Sequence, residues 1–320
     1  MSEPIVSASV IIPNFNGLRF LSECLGALRE QTYPRERFEV ILVDDGSTDG
    51  STAYVAEHFP EVRVLALPSN RGLAAACNAG AAIANGDLLV MLNNDTEVEP
   101  GWLEALVWTA NAHPEAGVIA SKMLLYDRRD VLHNAGDVMG DDGIPRNRGV
   151  WQQDTGQFDE ETAIFGGCGG GAAYRRAAWV ATGGFDERLF MYLEDVDLAW
   201  RLQLLGWEAA FAPDARLYHR LSATGGGTLA SYYTGRNTIW VIAKDMPTGL
   251  LRQHWSQIVG AQRKVASDAL RAWRGAAARA RLRGQLAGIA GLPRVLAWRR
   301  EVQGNRVIAD EEIERKLTPC

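Results

Sequence analysis

The sequence predicts an α/β protein with a mostly parallel sheet, and two observations carry that expectation. Short apolar runs of strand length alternate with segments whose apolar residues recur every three or four positions, and this happens four times over about the first ninety residues. The connections are short, which leaves right-handed crossovers as the way to join the strands. The second observation is the run Leu88 to Met91, introduced by Gly86 and stopped by Asn93, Asn94 and Asp95: a strand buried on both faces that ends in polar groups. Ligands of open α/β sheets lie beyond the carboxyl ends of the strands, so Asp95 stands where a site would form. One carboxylate with two flanking amides suits Mg2+ or Mn2+, ions that keep several ligands from water and substrate phosphates. The alternative is a turn, since Asn and Asp hydrogen-bond their own backbone there.

Taken in order, Ser7 to Pro13 is the first strand, ended by Pro13 and the polar Asn14, Phe15, Asn16 and Gly17. Leu18, Leu21, Leu25 and Leu28 then mark one buried stripe of a helix. Phe38 to Val43 is the second strand with Asp44 to Asp49 as its turn, Ser51 to Phe59 a short helix, and Val62 to Ala66 the third strand. After Asn70, Arg71 and Gly72, the Ala-rich run Leu73 to Ala84 has high helix propensity, and Leu88 to Leu92 is the fourth strand. Trp102 to Ala112 is a helix with Pro100 near its first turn. From Lys122 to Gln157 the alternation lapses into glycine, aspartate and short β-like pieces, read as an inserted hairpin or lid.

The run Gly166 to Gly171, followed by Ala172, satisfies the loosest dinucleotide fingerprint, but the first βα unit of the chain lies elsewhere. A backbone that must approach a ligand closely is the preferred reading. Gly183 to Asp186 makes a turn, and Leu189 to Leu193 leads into Glu194, Asp195, Val196 and Asp197. Leu198, Leu202 and Leu205 continue at helical spacing with Arg201 one turn beyond Asp197, so the acids occupy a first helical turn. Capping and the macrodipole favour acids there, yet three in four residues exceed what capping requires. Trp207 to Ala212 is one more strand, then Pro213, and His219 falls in a polar loop, where a lone His is more often a surface residue than a ligand.

Bulk properties narrow the class. A chain of 320 residues, 47% hydrophobic and 22% charged, suits one large domain or a domain with an appendage. Met1 to Pro4 is acidic and unlike a signal peptide, and no stretch approaches the ~18–20 apolar residues of a membrane span. Cys24, Cys77, Cys168 and Cys320 are scattered, which speaks for a reducing compartment and against a zinc site or a disulfide framework. The net charge of −6 hides an asymmetry: residues 247–300 hold 11 Lys and Arg against the single acid Asp268. There Leu251, Trp255, Ile258, Leu270 and Trp273 recur at helical spacing among the cations. A basic tail on an acidic body suggests a negatively charged partner, an anionic membrane surface or nucleic acid.

Taken together, the motifs resemble family 2 glycosyltransferases with the GT-A fold, over roughly Ser7 to Lys244. The landmarks are Val10 to Asn16, Val43 to Asp49, Asn70-Arg71-Gly72, Asn93-Asn94-Asp95, Gly183 to Asp186 and Glu194 to Leu198, in that order. Within the family the chain looks most like bacterial rhamnosyltransferase-type enzymes of cell-wall and O-antigen polysaccharide assembly, and His219 and the pair Arg236-Asn237 fit that subgroup. The resemblance implies a GT-A catalytic domain over residues 1–245, a Rossmann-like sheet flanked by helices, and a helical, basic C-terminal region over residues 246–320. It implies inverting transfer of a sugar from a nucleotide-diphospho-sugar, dTDP-rhamnose or a UDP-hexose, to a hydroxyl of a glycan or lipid-linked acceptor.

The same resemblance assigns roles. Pro13, Asn14, Asp45, Arg71, Asn93 and Asn94 would bind the nucleotide-sugar, and Asp95 with His219 would hold Mg2+ or Mn2+ at the diphosphate. The aspartate-x-aspartate motif of such enzymes is here Asn93-Asn94-Asp95, which keeps only the last carboxylate. Asp195 takes the position of the catalytic base, while Gly169, Glu194, Asp197 and Arg236 would touch the acceptor or shape the site, Asp197 by pairing with Arg201. A sugar-phosphate nucleotidyltransferase would share the sheet and the metal, but it usually carries a Gly-rich, cationic loop where this chain has Asn14 to Gly17. A non-catalytic nucleotide-sugar-binding module would need no carboxylate aimed at an acceptor. The expected location is cytoplasmic, or peripheral on the inner face of the cell membrane. The tail's apolar residues would meet that anionic surface, the catalytic domain or a second subunit; nucleic acid is disfavoured because the acidic body would repel it.

Overall fold

The computed structural model describes residues 7–220 and 227–320, so the acidic start Met1 to Pro4 lies outside the described residues. The first half alternates β1 (Ala8–Asn14), α1 (Leu18–Arg29), β2 (Phe38–Asp44), α2 (Ser51–His58), β3 (Arg63–Ala66), α3 (Leu73–Ile83) and β4 (Leu88–Leu92). These four strands are parallel in the order β3-β2-β1-β4, with Val10 opposite Val40 and Val90. The inner strands β1, β2 and β4 are mostly apolar and buried because both faces are covered, whereas the edge strand β3 is partly exposed. Val10 and Ile12 join a core with Leu21, Leu25 and Trp102, while Ile11 and Val43 face Ala74, Ala76 and Cys77 of α3. A Cβ on Gly80 would come within 2.5 Å of Ile11 Cγ2, so the small residues of α3 let it lie directly on the sheet.

The second half contains β5 (Thr96–Val98), α4 (Trp102–Ala112), β6 (Ala116–Leu125), β7 (Arg128–Asn134), β8 (Asp137–Gly140), β9 (Pro145–Asn147), β10 (Gly171–Arg175), α5 (Arg176–Thr182), α6 (Glu194–Leu204) and β11 (Glu208–His219). The sheet continues β4-β10-β6-β11-β5, with β10 antiparallel to both neighbours, so the parallel half gives way to a mixed one. The stretch from Lys122 to Gln157 is the hairpin of the two alternatives, β7 folding back on β6. Lys122 itself lies inside a ten-residue strand whose every residue is buried. Its ammonium reaches Asp159 at 2.6 Å and Asp154 at 3.2 Å, and that pairing is what allows a Lys in a central strand.

Two further expectations are corrected here. The Gly-rich run mostly admits protein neighbours instead of ligand: a Cβ at Gly166 would meet Ala199 Cβ at 2.5 Å, and one at Gly171, which opens β10, would meet Leu217 Cδ2 at 2.4 Å. Pro213 does not end its strand. It sits in a register shift between Ala212 and Arg216, and β11 runs on to His219, which is therefore a strand residue and not part of a polar loop.

The C-terminal region comprises α7 (Gly227–Asp245), α8 (Thr248–Gln253), α9 (Trp255–Arg271), α10 (Ala276–Gly304), α11 (Asp310–Glu314) and β12 (Leu317–Thr318). Helix α10 lies on α7 through glycines: a Cβ at Gly284 would come 2.1 Å from Tyr232 O and one at Gly291 2.7 Å from Trp240 Nε1. Leu250, Ile258 and Ile313 share a core with Met139, Phe165 and Trp200, and β12 pairs with β8. Trp255, Leu270, Trp273, Leu286, Ile289 and Leu296 nevertheless stay more than half exposed. No helix among the described residues is long and apolar enough to cross a membrane.

Candidate active site

Beyond the carboxyl ends of β1, β2 and β4 opens a cleft of about 1290 Å³. Pro13, Asn14, Asp45, Asn93, Asn94 and Asp95 line one part of it, and Gly169, Glu194, Asp195 and His219 face them. The floor is a chain of amides. Asn14 Nδ2 donates to Asp44 Oδ1 at 3.0 Å while its Oδ1 accepts from Asn94 Nδ2 at 2.7 Å, tying three strand ends together. Gly17 is obligatory beside this pair, because a Cβ there would lie 2.1 Å from Asn94 Nδ2. Asn93 is seated by its own N–H, which donates to Gly170 O at 3.1 Å.

Asp45 accepts the backbone N–H groups of Arg71 and Gly72, both at 2.8 Å. Burial pushes its pKa up and the two amides oppose the shift. The guanidinium of Arg71 pairs with Glu187 at 2.9 Å, while its backbone N–H is the group held by Asp45. Turn and cleft are thus joined by one carboxylate.

His219 Nε2 stands 3.3 Å from Asp95 Oδ1. Strand pairing explains the meeting of residues so far apart in sequence: β11 sets His219 opposite Thr96, the neighbour of Asp95. His133 of β7 stacks on His219 with ring centroids 5.0 Å apart. Burial and the neighbouring His219 imidazole pull the pKa of His133 down to about 3, so it is a neutral imidazole. Among the described residues no group of three or more His, Cys, Asp or Glu forms a closed metal cage. A carboxylate and an imidazole converging in an open cleft fit an ion that takes its other ligands from water and phosphate.

The acidic cluster opens α6 after a strained approach. Phe190, Tyr192 and Leu193 have φ of 68°, 64° and 67°. A left-handed non-glycine residue costs roughly 1–2 kcal/mol, so something must hold this segment. Asn237 of α7 does: its Nδ2 donates to the carbonyls of Leu189 and Met191 at 3.1 Å and of Tyr192 at 2.7 Å. Arg236 adds a bond to Leu189 O at 2.8 Å and stacks on Tyr233 and Trp240. It does not line the cleft, and it shapes the site only through that segment.

Asp195 accepts from Gly169 N at 2.9 Å through Oδ2 and from Val196 N at 2.8 Å through Oδ1. Burial raises its pKa and these amides oppose the rise. Glu194 is pushed up to about 8 by burial and by the charge of Asp195. Asp137 of β8, which also lines the cleft, is pushed up to about 8 for the same two reasons and accepts from Asn134 Nδ2 at 2.6 Å. Of three crowded carboxyls, then, Asp195 is the one that accepts from the backbone amides of two other residues, one on each oxygen. Asp197 points elsewhere. Although burial alone would raise its pKa, Arg201 at 2.6 Å and the ammonium of Lys244 hold it well below the usual carboxylate range. Sequence reasoning missed His133 and Asp137, since both lie in the hairpin where no motif marks them.

A parallel βαβ half ending in polar loops, a mixed half that brings an imidazole to the Asp95 carboxylate, and a separate carboxylate at a helix start define a glycosyltransferase of the GT-A type. Residues 9–180 match the profile described as Glycosyl transferase family 2, and the chain belongs to that family. It is 29% identical over 240 residues to the N-acetylglucosaminyl-diphospho-decaprenol L-rhamnosyltransferase of Mycobacterium tuberculosis, covering 67% of this chain and 76% of that one. It is 32% identical over 230 residues to the O-antigen biosynthesis protein RfbC of Myxococcus xanthus, covering 68% of this chain but only 17% of that longer protein. Among solved structures, GalNAc-T7 with UDP, GalNAc and Mn2+ superposes with a TM-score of 0.63 at 20% identity, over 76% of this chain and 48% of that one. TarS 1-349 of S. aureus in complex with UDP superposes with a TM-score of 0.59 at 18% identity, over 97% and 91%.

Proposed function

We propose that this glycosyltransferase inverts the anomeric carbon as it moves a sugar from a nucleotide-diphospho-sugar, dTDP-rhamnose or a UDP-hexose, to a hydroxyl of a glycan or lipid-linked acceptor in cell-surface polysaccharide synthesis. One observation carries the reading: the Asp195 carboxylate, held by two amides, shares a cleft with the Asp95 and His219 pair. Asp195 accepts the proton of the acceptor hydroxyl as that oxygen bonds to the anomeric carbon and the bond to the diphosphate breaks on the opposite face. Glu194 and Asp137, kept protonated around it, leave a single base and can donate hydrogen bonds to sugar oxygens. Asp95 and His219 would hold Mg2+ or Mn2+, and that ion when bound offsets the charge developing on the departing nucleoside diphosphate. Asp45 and Pro13 take the nucleotide side, and the amides of Asn14, Asn93 and Asn94 shape the floor beneath it.

Residues 246–320 act in this reading as a buttress and a contact surface for the 1–245 catalytic unit. Exposed Trp255, Leu270 and Trp273 beside Arg252, Arg271 and Arg274 suit an anionic membrane interface. A second copy of the chain fits this face less well, because like charges would meet. The test of function is a panel of nucleotide-sugars with Mn2+ or Mg2+, read as nucleoside diphosphate released with and without acceptor. Release from one donor, stimulated by a hydroxyl acceptor, supports the proposal; release of pyrophosphate from a nucleoside triphosphate and a sugar phosphate would replace it with nucleotidyl transfer.

A further inference from the structure

The cleft continues past Asp195 between α7, α9 and α10, where Leu229, Ala230, Val265, Ala269, Ala277 and Ala278 line it. Ser231, Thr234 and Thr238 of α7 interrupt these apolar walls, and so do Gln262, Arg281 and Gln285 opposite them. Arg281 is half-buried and, among the described residues, has neither a carboxylate nor a hydrogen-bond acceptor; burial pulls its pKa down and no anion restores it. Gln262 has a buried Nε2 with no acceptor and Gln285 a buried Oε1 with no donor, while Gln285 Nε2 donates to Gln262 Oε1 at 3.1 Å. The nearby acid Asp268 is paired with Arg271 at 3.3 Å. A half-buried cation without a counter-ion and a buried amide donor without an acceptor together favour an anion that joins them. Apolar walls on either side mean that this anion carries hydrocarbon.

We propose that the acceptor is a polyprenyl-diphospho-sugar whose diphosphate meets Arg281 and Gln262 and whose lipid lies along the alanine-lined walls of α7, α9 and α10, leaving its sugar hydroxyl at Asp195. The proposal rests on the transferase reading above and deepens it by naming the acceptor class and its seat. The basic tail, 11 cations against one acid over residues 247–300, draws such an anion toward the channel.

The test is direct binding of farnesyl diphosphate to the full-length protein by calorimetry, with UDP, dTDP and Mn2+ saturating the donor site. Farnesol and inorganic pyrophosphate are titrated in parallel. Farnesyl diphosphate should bind more tightly than either. Arg281→Gln should weaken it on the order of ten- to a hundredfold, the range of a lost charged hydrogen bond, and Arg281→Lys should recover part of that loss. Ala278→Trp, which fills the channel, should weaken farnesyl diphosphate and leave UDP or dTDP affinity unchanged. Pyrophosphate binding as tightly as farnesyl diphosphate would make this a plain phosphate site, farnesol binding as tightly would make it a plain apolar groove, and an Arg281→Gln protein of wild-type affinity would remove the arginine; each overturns the proposal. Hydrolysis of the nucleotide-sugar is followed in the same samples. Its absence from the wild type would sink the transferase reading on its own, while the farnesyl diphosphate titration still decides the channel.

Discussion

Replacing Asn237 with Leu removes the clamp on the segment that presents Asp195, and the structure sets the size of the effect. Leu has the branching of Asn but a larger volume, so no cavity opens; what is lost is donation to three carbonyls, those of Leu189, Met191 and Tyr192, and the bond that Arg236 Nε donates to Asn237 Oδ1 at 2.8 Å. Each of these four hydrogen bonds is worth about 0.5–1.5 kcal/mol net, so an immobile segment would cost the fold about 2–6 kcal/mol. Phe190, Tyr192 and Leu193, however, each recover roughly 1 kcal/mol if their left-handed backbone relaxes. Relaxation therefore offsets up to about 3 kcal/mol of that loss and transfers the damage to geometry. Asp195 begins two residues beyond Leu193, and a misplacement of ~1 Å at a reacting group costs on the order of a hundredfold in rate. Urea unfolding, donor affinity and transfer rate are measured on the same variant. The expected result is a modest fall in stability, near-normal donor affinity and a large fall in turnover. Turnover within twofold of wild type, at the expected loss of stability, would show that the strained segment does not position the base.

Asp195→Asn keeps the shape but removes the proton acceptor, so turnover should fall by roughly 10²–10⁴-fold with donor affinity preserved, and an equal loss of donor affinity would make Asp195 a binding residue. His219→Ala should raise the Mn2+ concentration needed for half-maximal nucleotide-sugar binding and Asp95→Ala should abolish its metal dependence; unchanged titrations would remove both as ligands. Glu194 has a folded pKa of about 8, above the ~4.3 of an unfolded Glu, so its stabilising contribution is full below that lower value and is lost as pH rises through 8. Urea unfolding of the wild type should therefore show stability declining from pH 5 to pH 8.5, with a shallower decline in Glu194→Gln; identical slopes would refute the assignment. The intact protein should sediment with anionic vesicles at low salt and be released by high salt, and Trp255→Ser with Trp273→Ser should weaken binding without unfolding. Removing everything after Lys244 is no test of this, because the tail shares its core with Met139, Phe165 and Trp200. No sedimentation by the intact protein would leave the exposed residues without a membrane.

What the sequence reveals depends on how far away a residue's partner lies. The four βα units and Trp102 to Ala112 were legible because each is stabilised by its own periodicity and each polar strand end is a local motif. Strands β6 and β10 were not. Ala116, Gly117, Ala120 and Ser121 are small, Lys122 is acceptable only because Asp154 and Asp159 fold back onto it, and β10 opens on a glycine that makes room for Leu217. The site divides the same way. Asp95, Asp195 and Asp45 stand in local motifs, whereas His133 and Asp137 reach the cleft only through the hairpin, and the guanidinium groups of Arg71 and Arg236 are drawn off by Glu187 and by the carbonyl of Leu189.

Helix α10 carries this lesson furthest. Its larger apolar residues do not mark its buried side, because contact with α7 is made by Gly284, Gly288 and Gly291, residues that add nothing to an apolar stripe. At 100° per residue, Leu286, Ile289 and Leu296 fall on the opposite side, and there they remain exposed. Glycine contacts let the two backbones touch, and the larger apolar side chains are left over for something outside the fold. A lipid surface would bury them at no cost to the packing already in place.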